Sequence, residues 1–301
     1  MALSRISILT WILKCAGKLP LSVAQAVGSF IGLLGWWCRS ESRRVTEINL
    51  GIAFPSLPAE ERQRLARASM KQTGRTIMEI PLMWEWPVER CLGLIRDIEG
   101  EELLTRCRDD GKGLILLAPH LGNWELAGLY FSSRYKMAAL YSPPHYPEFE
   151  DYMIQVRGRL GSELVRGDRR GLARLIALLR EGGVAGILPD QSPRGKTNAY
   201  APFFGMEVRT MTLVAKLLQK SGASVLVTYA ERLPDARGFK IVIRECEPDM
   251  ADTDPVTATT ALNASVEHCV REIPEQYQWE YKRMRHRPPG EMNPYKPGRI
   301  C

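Results

Sequence analysis

From residue 97 onward, short apolar runs alternate with amphipathic stretches. The runs at 114–118, 137–141, 184–189, 223–230 and 239–243 are rich in Val, Ile, Leu and Ala, as strands buried on both faces are. Between them, 123–133, 148–159, 168–181, 209–221 and 255–273 repeat apolar positions at three- and four-residue spacing, which predicts helices. Strand–helix alternation predicts an α/β domain over 97–301: a mixed, mostly parallel sheet flanked by helices. Residues 41–96 read as a helical segment packed on that domain. A helix starts at Ser56–Pro58, and Pro81 and Pro87 are expected to break the pattern.

The N-terminal pattern is different. Residues 19–38, "LPLSVAQAVGSFIGLLGWWC", carry no charge and approach the ~20 residues that crossing a bilayer takes. Trp36 and Trp37 stand at its end, where an interfacial aromatic belt would lie. Residues 1–40 are therefore read as a membrane-anchoring helical region. Pro20, Ser22, Gln25 and Ser29 weaken a full span, so a helix pair lying in the interface or buried in the protein is the alternative. The apolar core lies far from Met1 without a clear cleavage site, which argues against a signal peptide. Basic residues flank both sides (Arg5, Lys14, Lys18; Arg39, Arg43, Arg44), so charge does not set an orientation.

Composition narrows the classes. With 301 residues, 45% apolar and 25% charged, the chain is globular rather than disordered. A net charge of +7 suits nucleic acid, anionic headgroups or an acidic protein partner, and the total alone does not choose. Nucleic-acid binding fits poorly: no helix-turn-helix, zinc or RNP pattern is present, and the apolar N-terminus is out of place. Seven scattered cysteines without a CxxC pair suit free thiols and exclude a zinc ribbon or redox motif.

Sites in open α/β sheets lie at the carboxyl ends of strands. His120 follows "LILLAP" and Asp190 follows "VAGILP", which places two polar groups at one edge. If "NWELAGLYFSS" opens a helix, Asn123 is its N-cap and Glu125 lies in its first turn, where the helix dipole favours a carboxylate. His120 and Glu125 would then be a general base and its orienting carboxylate. No serine or cysteine nucleophile lies close by, which favours direct attack by a bound alcohol. The plainer alternative is a histidine capping a strand–helix turn. A hydrolase using the same pair on water is also open, although no G-x-S-x-G elbow exists. A membrane scaffold without catalysis is a further alternative.

"APHLGNWELAG" (118–128) resembles the H-x4-(D/E) box of glycerolipid acyltransferases, through His120, Gly122, Asn123, Trp124 and Glu125. "LPDQSPRGKTNAYAPFFG" (188–205) resembles the block around the family's second acidic residue, and "EQYQWEYKRMRHRPPG" (275–290) its Tyr-x-Trp-x-Tyr-Lys-Arg signature. Together the blocks are similar to the bacterial lipid A biosynthesis acyltransferases of the lauroyl- and myristoyl-type, from the N-terminus to residue 290. The resemblance implies an inner-membrane protein whose catalytic domain faces the cytoplasm. It implies acyl carrier protein as donor, a glycolipid (a lipid A precursor) as acceptor, and neither metal nor bound cofactor. His120 would be the base and Glu125 its partner.

Several binding roles are expected alongside. The Gly122 and Asn123 backbone N–H groups are candidates for the developing oxyanion, and Asn123 is placed at the substrate. Of Arg157, Arg159, Arg166, Arg169 and Arg170, Arg159 is expected near the site. Asp190 would position the acceptor or pair with that arginine. Arg194 and Lys196 suit phosphates on the acceptor. The basic tail "YKRMRHRPP" is expected to meet headgroups, membrane or acyl carrier protein, or to lie in solvent.

Overall fold

The computed structural model describes residues 5–109, 111–144, 146–193 and 198–296. Five helices come first: α1 (Arg5–Ala16), α2 (Leu21–Trp37), α3 (Glu41–Ala53), α4 (Ala59–Glu85) and α5 (Val88–Leu92). Two more, α6 (Glu101–Asp109) and α7 (Trp124–Ser132), follow the strands β1 (Ile95–Glu99) and β2 (Leu114–Leu117). Then come β3 (Met137–Tyr141), α8 (Pro147–Arg157), β4 (Glu163–Arg166), α9 (Arg169–Arg180) and β5 (Val184–Ile187). The chain continues through β6 (Asn198–Phe203), β7 (Met206–Met211), α10 (Leu213–Ser221), β8 (Ser224–Arg232), β9 (Phe239–Glu245) and α11 (Pro255–Glu272).

Seven strands form one sheet in the order β1-β9-β8-β2-β5-β3-β4. Every pair in it is parallel except β8/β9. The expected mixed, mostly parallel α/β sheet is therefore present. Its centre is apolar on both sides, with alternate residues feeding two cores. Ile115, Leu117, Ala185, Ile187, Val227 and Tyr229 join side chains of α9, α10 and α11. Leu114, Leu116, Val184 and Leu226 join α6, α7, α8 and the end of α4.

Two expectations about element limits change. Residues 209–211 are the end of β7 rather than the start of a helix, so α10 begins at Leu213. Phe204 (φ 49) and Gly205 (φ 74) are both left-handed, the geometry of a two-residue hairpin turn, and they fold β7 back antiparallel onto β6. Pro81 does not break α4, which runs on to Glu85. The carbonyl deprived of its partner by Pro81 belongs to Ile77, an exposed residue where water is at hand.

The N-terminal stretch is also corrected. Among the described residues no single helix is long and apolar enough to cross a membrane; α2 and α3 together have the length and composition, but with an 83° bend between them. Helix α2 packs along α4 through Gly28 and Gly32. A Cβ on Gly28 would sit 2.4 Å from the Gly74 carbonyl oxygen, and one on Gly32 would sit 2.0 Å from that of Met70. Its opposite face leaves Val23, Val27, Phe30, Ile31, Leu34 and Trp37 exposed in one stripe.

Candidate active site

His120 and Asp190 meet because their strands are in register. β2 and β5 are adjacent and parallel, with Leu117 opposite Ile187. Each polar residue stands three positions past its strand end, and the Ala118 N–H extends the ladder to the Ile187 carbonyl. The Asp190 carboxylate takes both hydrogen-bond donors of the histidine: Oδ1 lies 2.9 Å from Nδ1, and Oδ2 accepts the His120 backbone N–H at 3.0 Å. Nδ1 therefore carries the proton and Nε2 the lone pair. Burial pushes the Asp190 carboxyl up, but the electrostatic attraction of the adjacent His120 ring and these bonds outweigh it and hold it below the usual carboxylate range. The buried Tyr277 hydroxyl also bonds to Asp190; burial first and then the Asp190 charge push that hydroxyl well up. The Trp124 ring stands edge-on to the imidazole, with centroids 4.9 Å apart.

Glu125 takes a different partner from the one expected. Arg157 of α8 grips its carboxylate with two nitrogens, Nε to Oε2 at 3.1 Å and Nη2 to Oε1, and the Trp84 indole N–H donates at 3.0 Å. Burial would raise this carboxyl, but the Arg157 charge and the hydrogen bonds hold it low. The place of the orienting carboxylate, expected from sequence for Glu125, is thus filled by Asp190, at Nδ1. The chain sets the two carboxylates on different elements, and only the strand register brings Asp190 to the ring.

Other candidates move too. Asn123 is the N-cap of α7, as expected: its Oδ1 accepts the Leu126 N–H at 2.9 Å. Its Nδ2 donates inward to Glu79 at 3.0 Å, so both ends of the side chain face the interior rather than a substrate. The two backbone N–H groups expected to hold an oxyanion already donate, Gly122 to the Gln276 carbonyl and Asn123 to that of Ala230. Gly122 is left-handed (φ 62), and a Cβ there would lie 2.0 Å from the Ala230 oxygen, so this turn admits only glycine. Arg159 binds the carbonyls of Met83, Trp84 and Trp86 and so closes the end of α4, whereas Arg157 is the arginine that holds Glu125. Arg194 and Lys196 lie outside the described residues.

The C-terminal block folds against the site. Leu121 pairs antiparallel with Tyr277, and the Gln278 N–H donates to the His120 carbonyl. Asn49 of α3 holds the Trp279 and Tyr281 carbonyls at 2.7 and 2.9 Å. Within the expected basic tail, Arg283 is buried and bonds to the Arg209 carbonyl and Thr210, while Lys282 pairs with Glu41. Sequence reasoning missed Gln191, which lies 3.2 Å from His120 Nε2. It also missed Glu280, whose partly buried carboxyl accepts from Thr73 at 2.9 Å. Burial pushes Glu280 up, and the hydrogen bonds it accepts, among them those from Thr73 and Gln278, only partly offset it. The visible signal for both was their place in the two blocks beside Asp190 and Tyr277.

A histidine with a carboxylate on Nδ1 and a lone pair on Nε2, at the carboxyl edge of a mostly parallel sheet, is the arrangement of an α/β enzyme. A family described as bacterial lipid A biosynthesis acyltransferase matches residues 3–286, and the chain belongs to that family and is an acyltransferase. It is 27% identical over 294 residues to the lipid A biosynthesis lauroyltransferase of Escherichia coli K12, covering 95% of this chain and 94% of that protein. It is 29% identical over 279 residues to the lipid A biosynthesis palmitoleoyltransferase of the same organism, covering 92% and 90%. Against the lipid A biosynthesis myristoyltransferase it is 29% identical over 283 residues, covering 91% and 83%.

Proposed function

We propose that the protein transfers a fatty acyl chain from acyl carrier protein to a hydroxyl of a lipid A precursor, with His120 as general base. The observation that carries this is the 2.9 Å contact of Asp190 with Nδ1, which leaves Nε2 the unprotonated nitrogen, able to accept a proton. The acceptor oxygen attacks the thioester carbonyl carbon as Nε2 takes its proton. Asp190 stabilises the imidazolium that forms. The tetrahedral intermediate then collapses, the C–S bond breaks, and the leaving thiolate takes the proton from Nε2. No acyl-enzyme is needed. Glu125 acts at one remove, by fixing Arg157, whose partly exposed guanidinium is the donor we assign to the developing oxyanion. A +7 chain attracts both an acidic carrier protein and phosphorylated glycolipid.

The apolar stripe of α2 is read as lying in the cytoplasmic face of the inner membrane. Exposed Lys14, Lys18 and Arg39 flank it and would meet anionic headgroups. The test is transfer from labelled acyl–acyl carrier protein to a lipid A precursor, with wild type, His120→Ala, Asp190→Asn and Glu125→Gln in parallel. Loss of the base should lower the rate by at least ~100-fold. Transfer that survives His120→Ala sinks the mechanism. Thioester hydrolysis that needs His120, without transfer, means the acceptor is wrong.

A further inference from the structure

General-base action needs the Nε2 lone pair, and in this structure a side chain already occupies it. Gln191 Nε2 lies 3.2 Å from His120 Nε2. The same amide nitrogen donates its other N–H to Gln278 Oε1 at 3.1 Å. The Gln278 amide is hydrogen-bonded in turn to the Glu280 carboxyl, and Thr73 Oγ1 donates to that carboxyl at 2.9 Å. Gln278 is tied to the same histidine through its backbone, its N–H donating to the His120 carbonyl at 3.1 Å.

The direction of this chain follows from its end. The Glu280 carboxyl accepts from Gln278 as it does from Thr73, so Gln278 presents its NH2 to Glu280 and its carbonyl oxygen to Gln191. Gln191 must then present N–H groups to both Gln278 and His120. Nε2 must therefore be an acceptor, the state that Asp190 imposes from the other side of the ring. Two carboxylates on opposite sides thus agree on one tautomer. We propose that Glu280, Gln278 and Gln191 form a one-way hydrogen-bond relay that keeps His120 ready as a base and reserves, at Nε2, the position of the acceptor hydroxyl. This rests on the reading of His120 as general base.

An arriving hydroxyl donates to Nε2 and displaces the Gln191 N–H, which then meets the hydroxyl oxygen. Gln191 exchanges one acceptor for another, so no buried donor is left unpaired. The amide stays behind the hydroxyl and points its free lone pair at the thioester carbon. Gln191, Gln278 and Glu280 are positioning residues in this account. Among the described residues, the charged and titratable groups around the ring are Asp190 at Nδ1, Tyr277 and Arg283 behind Asp190, and Glu280 behind Gln278.

The decisive variant is Gln191→Glu, nearly the same in shape but an acceptor where the amide donates. It places the imidazole between two carboxylates and favours its protonated form. Transfer at neutral pH should fall at least ~100-fold, with the acid limb of the kcat/KM profile moved to higher pH. Glu280→Leu should lower kcat/KM roughly tenfold. Glu280→Gln, which keeps an acceptor oxygen for Gln278, should restore it to near wild type. Side-chain 15N spectra of the histidines supply a reading that needs no substrate. Wild type should show Nδ1–H with a bare Nε2, and Gln191→Glu a doubly protonated ring at the same pH. An unchanged acid limb and an unchanged ring in Gln191→Glu, or no rescue by Glu280→Gln, overturns the relay. Persistence of transfer in His120→Ala instead overturns the general-base reading, and the 15N spectra still judge the relay.

Discussion

Asp190 and Glu125 are both buried carboxylates, yet the molecule uses them differently: one meets His120 and the other Arg157. Asp190 touches the ring, so Asp190→Asn should reverse the preference at Nδ1 and impair transfer at least ~100-fold, read in the same assay. Glu125→Gln should act more mildly through Arg157. Both carboxyls are held below their ordinary values. Each therefore contributes stability that is complete above the ordinary carboxylate range and is lost as pH falls toward the lowered folded values. Glu280, held high, has the opposite sign: its contribution is present at low pH and is lost as pH rises through its raised value. Thermal melts from pH 7 down to pH 3 should show a steep acid loss in wild type, shallower in Asp190→Asn. A curve with the same slope in both would refute this assignment. At this scale the sequence disclosed which residues matter and where they cluster, but not who pairs with whom. His120 and Glu125 are five positions apart and suggested a dyad. The ring's partner is 70 positions away, reachable only through strand register.

At the scale of elements, a buried ion pair joins the helical segment to the turn that follows His120. Arg232, at the end of β8, holds Glu79 of α4 through Nε and Nη2, each at 2.5 Å, with both side chains fully buried. Gln25 of α2 donates to Glu79 at 2.8 Å, and so does Asn123, the cap of the helix that follows His120. Removing one partner leaves an uncompensated buried charge. Glu79→Ala should destabilise the fold by about 3–5 kcal/mol, measured by denaturant unfolding, whereas replacing Glu79 and Arg232 together by apolar residues of similar volume should cost far less. Equal losses in single and double variants would contradict this. The strands and helices of the sheet were legible in sequence because their apolar periods are strong. The β6–β7 hairpin was not, because its signal is a left-handed Phe204–Gly205 pair rather than a period. Helix α4 was expected to stop at Pro81, since nothing local shows that Ile77 four residues earlier is exposed.

At the scale of the molecule, α2 has two faces with different fates. One is fixed to α4 by glycines packed against backbone, and the other offers Val27, Phe30 and Leu34 to the surroundings. Deleting the helix would strip α4, so surface substitutions are the cleaner probe. Val27→Glu combined with Phe30→Glu and Leu34→Glu should leave the fold intact and weaken binding to anionic vesicles. Each lost apolar side chain is worth ~1.5–3 kcal/mol if fully buried in lipid, so the triple variant should bind over ~100-fold more weakly. Unchanged vesicle binding would show that this face does not touch the membrane. The 20-residue apolar run suggested a span because hydropathy counts residues and ignores which side they occupy. Gln25 and the glycines are interior positions in a helix lying on the protein.

The sequence by itself determined the α/β class, the sheet edge that carries His120 and Asp190, the cap at Asn123 and the membership of the family, because periodicity, capping and ordered motifs are properties of contiguous residues. Only the tertiary structure decided that Asp190 orients the ring, that Arg157 rather than Arg159 stands beside Glu125, that Gln191 covers Nε2, and that α2 lies along α4. Those outcomes depend on which strands become neighbours and in what register, and that choice is made by the burial of the whole core rather than by any local stretch.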